Sequence, residues 1–315
     1  MSTATFAKHD ADLSSGEVVL EALRTRTEQL WDAEHAVLDG LPDAVTDMRV
    51  ITRQLRSTLS GFSRVLDPEA TRSAVAELAW LGRQLGEEND THAMIKELHR
   101  LLSALPRESS VCHVAADVER ELGQRSVQGT HVTQAALASR RYAALREALN
   151  QLLADPPFTA RAAKPAVKEL PRSVAKAMHK LDRRMAVAEA LPPGPDRDEA
   201  LHEARKADKL LRYVTEIAAP VIGKPARQLS RQAKKLQDLL GDYQDAVVTL
   251  PVLHKLDAAS AAGGHPVAIY SVLDTLEQAR IDRVVNKLPR RLGSLHDKGV
   301  WLSRSRRPHD RAPSA

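Results

Sequence analysis

Residues 200–213 read ALHEARKADKLLRY, and residues 44–57 read AVTDMRVITRQLRS. Aligned at a spacing of 156, the second stretch places Thr46, Arg49, Arg53 and Arg56 where the first has His202, Arg205, Lys209 and Arg212. The shared offsets of 0, 3, 7 and 10 fall within about 80° of one another on a helix of about 100° per residue. Each stretch is therefore a rail of cations, about 15 Å long at 1.5 Å per residue. Beside each rail runs an apolar stripe, Val45, Met48, Leu55 and Leu59 in one copy and Leu201, Ala204 and Leu211 in the other. One face can pack while its neighbour presents charge. A repeated rail of this kind suits an extended polyanion.

Working outward, helical periodicity recurs from about residue 14 to 293 and no alternating strand pattern interrupts it. The expected helices cover about 15–38, 42–66, 69–86, 89–104, 111–123, 131–153, 164–191, 197–218, 223–240, 242–258 and 266–293. Breakers separate them, among them Pro68, Pro106, Pro156-Pro157, Pro192-Pro193 and Gly263-Gly264. With 43% hydrophobic residues, Ala and Leu dominating, and 3% aromatics, the composition favours packed helices over sheets. The duplication extends to Leu85-Gly86 with Asp90 and Leu240-Gly241 with Asp245. Each Gly is expected at a left-handed position after a helix, and each Asp at the start of the next. The expected organisation is a disordered tail at 1–13, a first helical half at 14–158, a second at 159–293 and a C-terminal tail at 294–315.

Charge divides unevenly between the halves. Residues 1–158 carry 17 Lys and Arg against 23 Asp and Glu, whereas residues 159–315 carry 29 against 18. The second half should dominate attraction to an anion. It also holds a third rail without a counterpart in the first half, Lys168, Arg172, Lys176, His179 and Arg183. Lys206, Lys234 and Lys235, and Arg280, Arg283, Lys287 and Arg291 on one face of the last helix, complete the set of candidates.

The stretches at 46–56 and 200–213, together with Leu236-Gln237-Asp238-Leu239-Leu240-Gly241-Asp242-Tyr243-Gln244-Asp245, resemble the conserved histidine α-helical domain, or CHAD, family over about residues 14–293. The resemblance implies an all-α fold of two pseudo-symmetric helical bundles enclosing a basic cavity or groove. It implies binding of inorganic polyphosphate and association with polyphosphate granules, with no cofactor. The sequence departs from the family pattern at Thr46, where the first histidine would fall, and at Glu87-Glu88-Asn89-Asp90, where acids are expected to repel a polyanion.

Other chemistry finds little support. Cys112 is the single cysteine, which excludes an internal disulfide and fits a reducing, cytoplasmic setting. No apolar run approaches a membrane span, and the N-terminus lacks a signal-peptide core. His92 and His99 lie two turns apart, too far for an ordinary metal pair, and Cys112-His113 point about 100° apart on a helix. No phosphate-binding loop, nucleophile elbow or tunnel-type triphosphatase pattern occurs, so a non-catalytic role is expected. Enzymatic processing of polyphosphate or phosphoesters is one alternative, and nucleic-acid or protein binding another. Nucleic acid is disfavoured because three Phe, four Tyr and three Trp offer few stacking platforms.

Overall fold

A computed structural model describes residues 13–103, 105, 109–262 and 268–304. Residues 1–12 of the expected tail at 1–13, residues 305–315 of the expected tail at 294–315 and the breakers Pro106 and Gly263-Gly264 lie outside the described residues, as do the side chains of Glu87, Asn89, Cys112 and His113. The described residues form helices and two isolated β-bridges, so the chain is all-α.

In the first half these are α1 (Ser15–Leu38), α2 (Ala44–Gly61), α3 (Pro68–Gln84), α4 (Gly86–Ser103), α5 (Ser109–Leu137) and α6 (Arg140–Ala154). In the second they are α7 (Ala166–Ala190), α8 (Pro195–Ile222), α9 (Lys224–Ala262), α10 (Ala268–Gly299) and the short α11 (Trp301–Arg304). Within the halves, α1 packs on α2, α2 on α3 and α4 on α5, while α7 packs on α8, α8 on α9 and α9 on α10. The repeat is visible in this order: α7 and α8 reproduce α1 and α2, α9 reproduces α3 and α4 end to end, and α10 reproduces α5.

The halves then meet as a pseudo-two-fold would arrange them, with four helix pairs formed between duplicates. α1 packs on α7, α2 on α8, α4 on α9 and α5 on α10. An isologous contact of this kind necessarily brings a repeated sequence motif face to face with its copy. One apolar core runs through both halves, from Val19, Leu30 and Leu55 to Leu211, Leu236 and Leu295. A second cluster forms where the far ends of α4 and α5 (Leu98, Leu102, Val118, Leu122) meet those of α9 and α10 (Leu253, Leu256, Tyr270, Leu273).

The linker is tied to both halves. Ser15 N donates to Lys164 O at 2.8 Å and Gly16 N to Ala162 O at 2.9 Å, while Asp67 N donates to Pro157 O at 2.8 Å and Thr159 N to Val65 O at 2.9 Å. Gly16 is tightly packed, since a Cβ there would lie 3.0 Å from the Ala162 Cβ and 3.2 Å from the Ala162 carbonyl oxygen. Ser14 meanwhile starts α1 through a capping box with Glu17.

Three helix boundaries differ from expectation. α5 runs unbroken past Gly123 and Gly129, and the break falls at Ser139, whose hydroxyl accepts from Tyr142 N at 3.1 Å to start α6. α10 continues beyond 293 to Gly299 because Leu295 stays on its buried face. The third difference concerns the repeated Leu-Gly. Gly86 and Gly241 are not left-handed caps, for the glycines with positive φ among the described residues are Gly40, Gly194 and Gly223. Gly241 sits inside the continuous α9, and Gly86 opens α4. Each glycine instead lies within van der Waals reach of an arginine of the cationic rails. A Cβ at Gly241 would stand 3.4 Å from Arg205 Nη2, and one at Gly86 would stand 3.5 Å from Arg49 Nη2. Asp90 and Asp245 accordingly lie one turn further along the same helix as their glycine and do not start a new one.

Candidate functional site

The packing of α2 on α8 merges the two cationic rails into one cluster. Arg53 stands within electrostatic range of Arg49 and Arg56 on its own helix and of Arg205 on α8. Lys209 in turn faces Arg53 and Arg49 across the interface, and Arg205 one turn back along α8. Lys209 is 7% exposed and makes no hydrogen bond or ion pair among the described residues. Burial, with these three guanidinium groups, pushes its ammonium down to about 6, and Asp208 opposes the shift only weakly. Arg53 and Arg56 are also pushed down, first by burial and then by neighbouring cations.

Acids partner the edges of this cluster more than its centre. Arg49 holds Asp90 with a two-pronged contact of 2.6 and 3.2 Å. Arg205 lies against Gly241 with Asp245 in electrostatic range, but its Nε is buried with no partner. Arg212 donates to Glu216 at 2.7 Å and to Gln237 at 3.0 Å, and stacks over the Tyr213 ring at 5.4 Å. Tyr213 itself is buried, as expected of a packing residue. Asp208 is fully buried with neither carboxylate oxygen hydrogen-bonded among the described residues, and burial holds its carboxyl well above the usual carboxylate range despite Arg212, Lys209 and Arg205 nearby. Of the acids expected to repel a ligand, Glu88 is buried and accepts from Thr130 on α5 at 3.0 Å, and Asp90 is the partner of Arg49.

His202 is half-buried, with Nδ1 2.9 Å from Gln244 Oε1. That is the geometry of an Nδ1–H donating to the amide carbonyl, which leaves Nε2 to act as an acceptor when neutral and a donor when protonated. Burial, then Lys206, lowers its affinity for a proton. Thr46, its counterpart, is exposed on α2.

The third rail divides along α7. Arg172 joins Arg64 and Arg161 around the buried Glu169, at 3.0, 2.6 and 3.7 Å, and so serves to clamp the linker and the end of α2. Lys176 donates to Ser63 across the halves at 2.9 Å. Lys168, His179 and Arg183 are exposed. Further out, Lys206 pairs with Glu203 at 2.5 Å, Lys234 pairs with Asp238, and Lys235 is exposed. Arg280 is engaged by Glu97, by Asp242 at 3.0 Å and by Glu277 at 3.5 Å, an inter-half clamp. Arg283 and Lys287 are exposed and Arg291 half-exposed on α10.

Three cations near the cluster were absent from the sequence reading. Lys180 on α7 has its proton affinity lowered by burial and by Arg184, with Arg183 and Arg56 also in range. Arg83 on α3 lies within range of Arg56. Arg26 on α1 has a buried Nε without a partner and shares Tyr213 with Arg53. Lys180 falls about 100° from the neighbouring His179, off the face that periodicity selected. Arg26 and Arg83 are isolated in acidic or mixed stretches, and sequence spacing carries no signal for them.

A family model described as the CHAD domain matches residues 21–254. The chain belongs to the CHAD family. Two uncharacterized proteins of Mycobacterium tuberculosis are each 31% identical to it over 291 residues, a span covering 91% of this chain and 54% of each relative. The chain thus spans about half the length of the curated relatives it matches. Among solved structures, PptA from Streptomyces chartreusis superposes with a TM-score of 0.68 at 19% identity, covering 89% of this chain and 99% of that one. The CHAD domain from the plant Ricinus communis gives 0.61 at 20% identity, covering 91% and 93%. At such identities the two superpositions speak for the fold. The CHAD match ends at 254, within α9, so α10 with its row of Arg283, Lys287 and Arg291 lies beyond the matched segment. No helix among the described residues is long and apolar enough to cross a membrane.

Proposed function

We propose that this CHAD domain binds inorganic polyphosphate at the α2–α8 interface and does not turn it over. The observation that carries the reading is the central group where the two halves meet, the Arg53 and Arg205 guanidinium groups and the Lys209 amine, none with a hydrogen-bonded acid among the described residues. Burying charge without a partner costs stability, and a polyanion supplied from solution would offset that cost. Guanidinium forks suit the non-bridging oxygens of phosphate, and a row of them suits successive phosphates. Arg49, Arg56, Arg212 and His202 extend the proposed contact along α2 and α8. Lys180 and Arg183 continue it onto α7, and the exposed cations of α10 are candidates for a longer chain. A cytoplasmic setting and a place on polyphosphate granules belong to the same proposal.

The test is titration with long-chain polyphosphate at several salt concentrations, with nucleic acid as competitor. Affinity should fall steeply with salt, since each neutralised phosphate releases condensed counterion. Nucleic acid should compete poorly, and no orthophosphate should appear with or without divalent metal. Salt-independent binding would sink the electrostatic reading. Turnover that survives repurification and is lost in His202→Ala would replace it with an enzymatic one.

The relative weight of the two halves can be measured by charge reversal. Arg205→Glu with Lys209→Glu should weaken binding more than Arg49→Glu with Arg53→Glu. In the first pair neither group has a hydrogen-bonded acid among the described residues, whereas Arg49 is already engaged by Asp90. Circular dichroism checks that each variant folds. A larger loss from the Arg49/Arg53 pair would show that the first half dominates.

A further inference from the structure

The cationic cluster at α2 and α8 continues along one side of the molecule and stops on the other. We infer that polyphosphate leaves it in a single direction, along the seam between α2 and α7, and reaches the arginines gathered at the linker between the halves. The inference rests on the polyphosphate reading above and adds to it a path and a dependence on chain length.

Three contacts mark the seam, where α2 packs on α7. Arg56 lies within electrostatic range of Lys180. Further along, Lys176 Nζ donates to Ser63 Oγ at 2.9 Å. Just beyond the end of α2, Arg64 Nε donates to Glu169 Oε1 at 2.6 Å. The numbers rise on one side and fall on the other, so the two segments run antiparallel. From Lys180 to Arg172 the seam follows α7 for eight residues, about 12 Å. Charge does not balance at its far end. Glu169 supplies one carboxylate, and Arg64, Arg172 and Arg161 stand 2.6, 3.0 and 3.7 Å from it. The carboxylate is 1% exposed, whereas the side chains of Arg172 and Arg161 are 49% and 50% exposed. The acid is thus inside and the surplus positive charge faces water. Each guanidinium has five N–H donors, more than one carboxylate shared among three can occupy, and those left over are open to phosphate oxygens.

The equivalent seam between α8 and α1 offers nothing comparable. At the spacing of 156, Gly16 stands for Arg172, Leu20 for Lys176, Leu13 for Glu169 and Pro220 for Arg64. Arg212, the counterpart of Arg56, is held at 2.7 Å by Glu216, which stands where α2 has Ser60. Acids also stand at the N-terminal ends of both rails. Asp90 engages Arg49, Asp245 lies within range of Arg205, and Asp242 and Glu97 engage Arg280 beside them. A polyanion is repelled at that end and attracted along α7.

The experiment titrates the whole chain with tripolyphosphate and with long-chain polyphosphate at several salt concentrations. The variant is Arg161→Gln with Lys176→Gln, which leaves Glu169 its two nearest partners, Arg64 and Arg172. Expected is a loss of about tenfold in affinity for the long chain at low salt, with a salt dependence shallower by about two released counterions. Tripolyphosphate, seated in the central cluster, should bind the variant and the unaltered protein alike. Lys176→Gln alone should show a smaller loss with the same selectivity, and it carries the test if the double variant folds poorly. Arg24→Gln, at the position on α1 equivalent to Lys180, should leave both ligands unaffected. Unchanged long-chain binding overturns the path and leaves the central cluster in place. An equal loss for both ligands also overturns it, because a seam reached only by longer chains does not act on a short one. Failure of the unaltered protein to bind either ligand removes the polyphosphate reading itself, and the path with it.

Discussion

Arg53→Met should raise the thermal stability of the unliganded protein while lowering its affinity for polyphosphate. Arg53 is half-buried, has no hydrogen-bonded acid among the described residues, and lies within range of Arg49, Arg56 and Arg205. Replacing a charge so placed with an apolar side chain of similar length removes its desolvation cost and the repulsion from its neighbours, and should stabilise the empty protein by on the order of 1 kcal/mol. In a protein of this size that corresponds to a rise in Tm of roughly 2–4 °C per kcal/mol. Loss of one charge-assisted contact to phosphate should cost about 1.5–3 kcal/mol of binding, or roughly 10- to 150-fold in Kd. Differential scanning calorimetry and a binding titration on the same variant check both halves of the expectation. A structural arginine would behave in the opposite way, with Tm falling and binding unchanged. Arg64 supplies that contrast, because it serves the buried Glu169 at 2.6 Å. Arg64→Met leaves a buried carboxylate short of its closest partner and should destabilise the fold.

Polyphosphate binding should take up a proton, and Lys209 should be its principal acceptor. In the empty site the Lys209 ammonium is lost near 6, whereas a bound polyanion offsets the repulsion from Arg49, Arg53 and Arg205 and draws the value upward. From about pH 6 up to the value in the complex, the complex holds one proton more than the empty site. Affinity therefore rises as pH falls through that window, by up to about tenfold per pH unit, and levels off below about 6. Calorimetry in buffers of different ionisation enthalpy measures the uptake directly. Lys209→Met should remove most of the slope. His202→Gln should remove only the part at the acidic end, because burial and Lys206 hold His202 below the ordinary histidine value. A pH dependence unchanged in Lys209→Met would place the titrating group elsewhere. Stability of the empty protein has the opposite sign. An unfolded lysine keeps its proton to about 10.4, so between about 6 and 10.4 the unfolded state binds the extra proton and folding stability rises with pH. Below about 6 both states are protonated and this contribution is constant.

The sequence alone determined the helices and their duplication. Apolar spacing in the stretches at 44–57 and 200–213 marks the buried stripe of α2 and α8, and Met48, Leu55, Leu59, Leu201, Ala204 and Leu211 are indeed in the core. Period and spacing are local properties, and the fixed offset of 156 carries the repeat without reference to a partner. Tertiary structure decided the rest. Two separate rails became one cluster because α2 packs on α8, and that contact is not written in either rail. The third rail separated into a clamp at Arg172 and Lys176 and exposed groups at Lys168, His179 and Arg183, since partners such as Glu169 and Ser63 arrive from the fold and from the other half. Arg280 likewise proved to be held by Glu97 and Asp242. Gly86 and Gly241 look like helix caps in one dimension, and only the tertiary structure shows that one opens a helix, the other lies inside one, and both lie beside Arg49 and Arg205. The proton affinity of Lys209 is the furthest from sequence. It depends on burial and on guanidinium groups brought from about 156 residues away, and a charge feels distance in space, not along the chain.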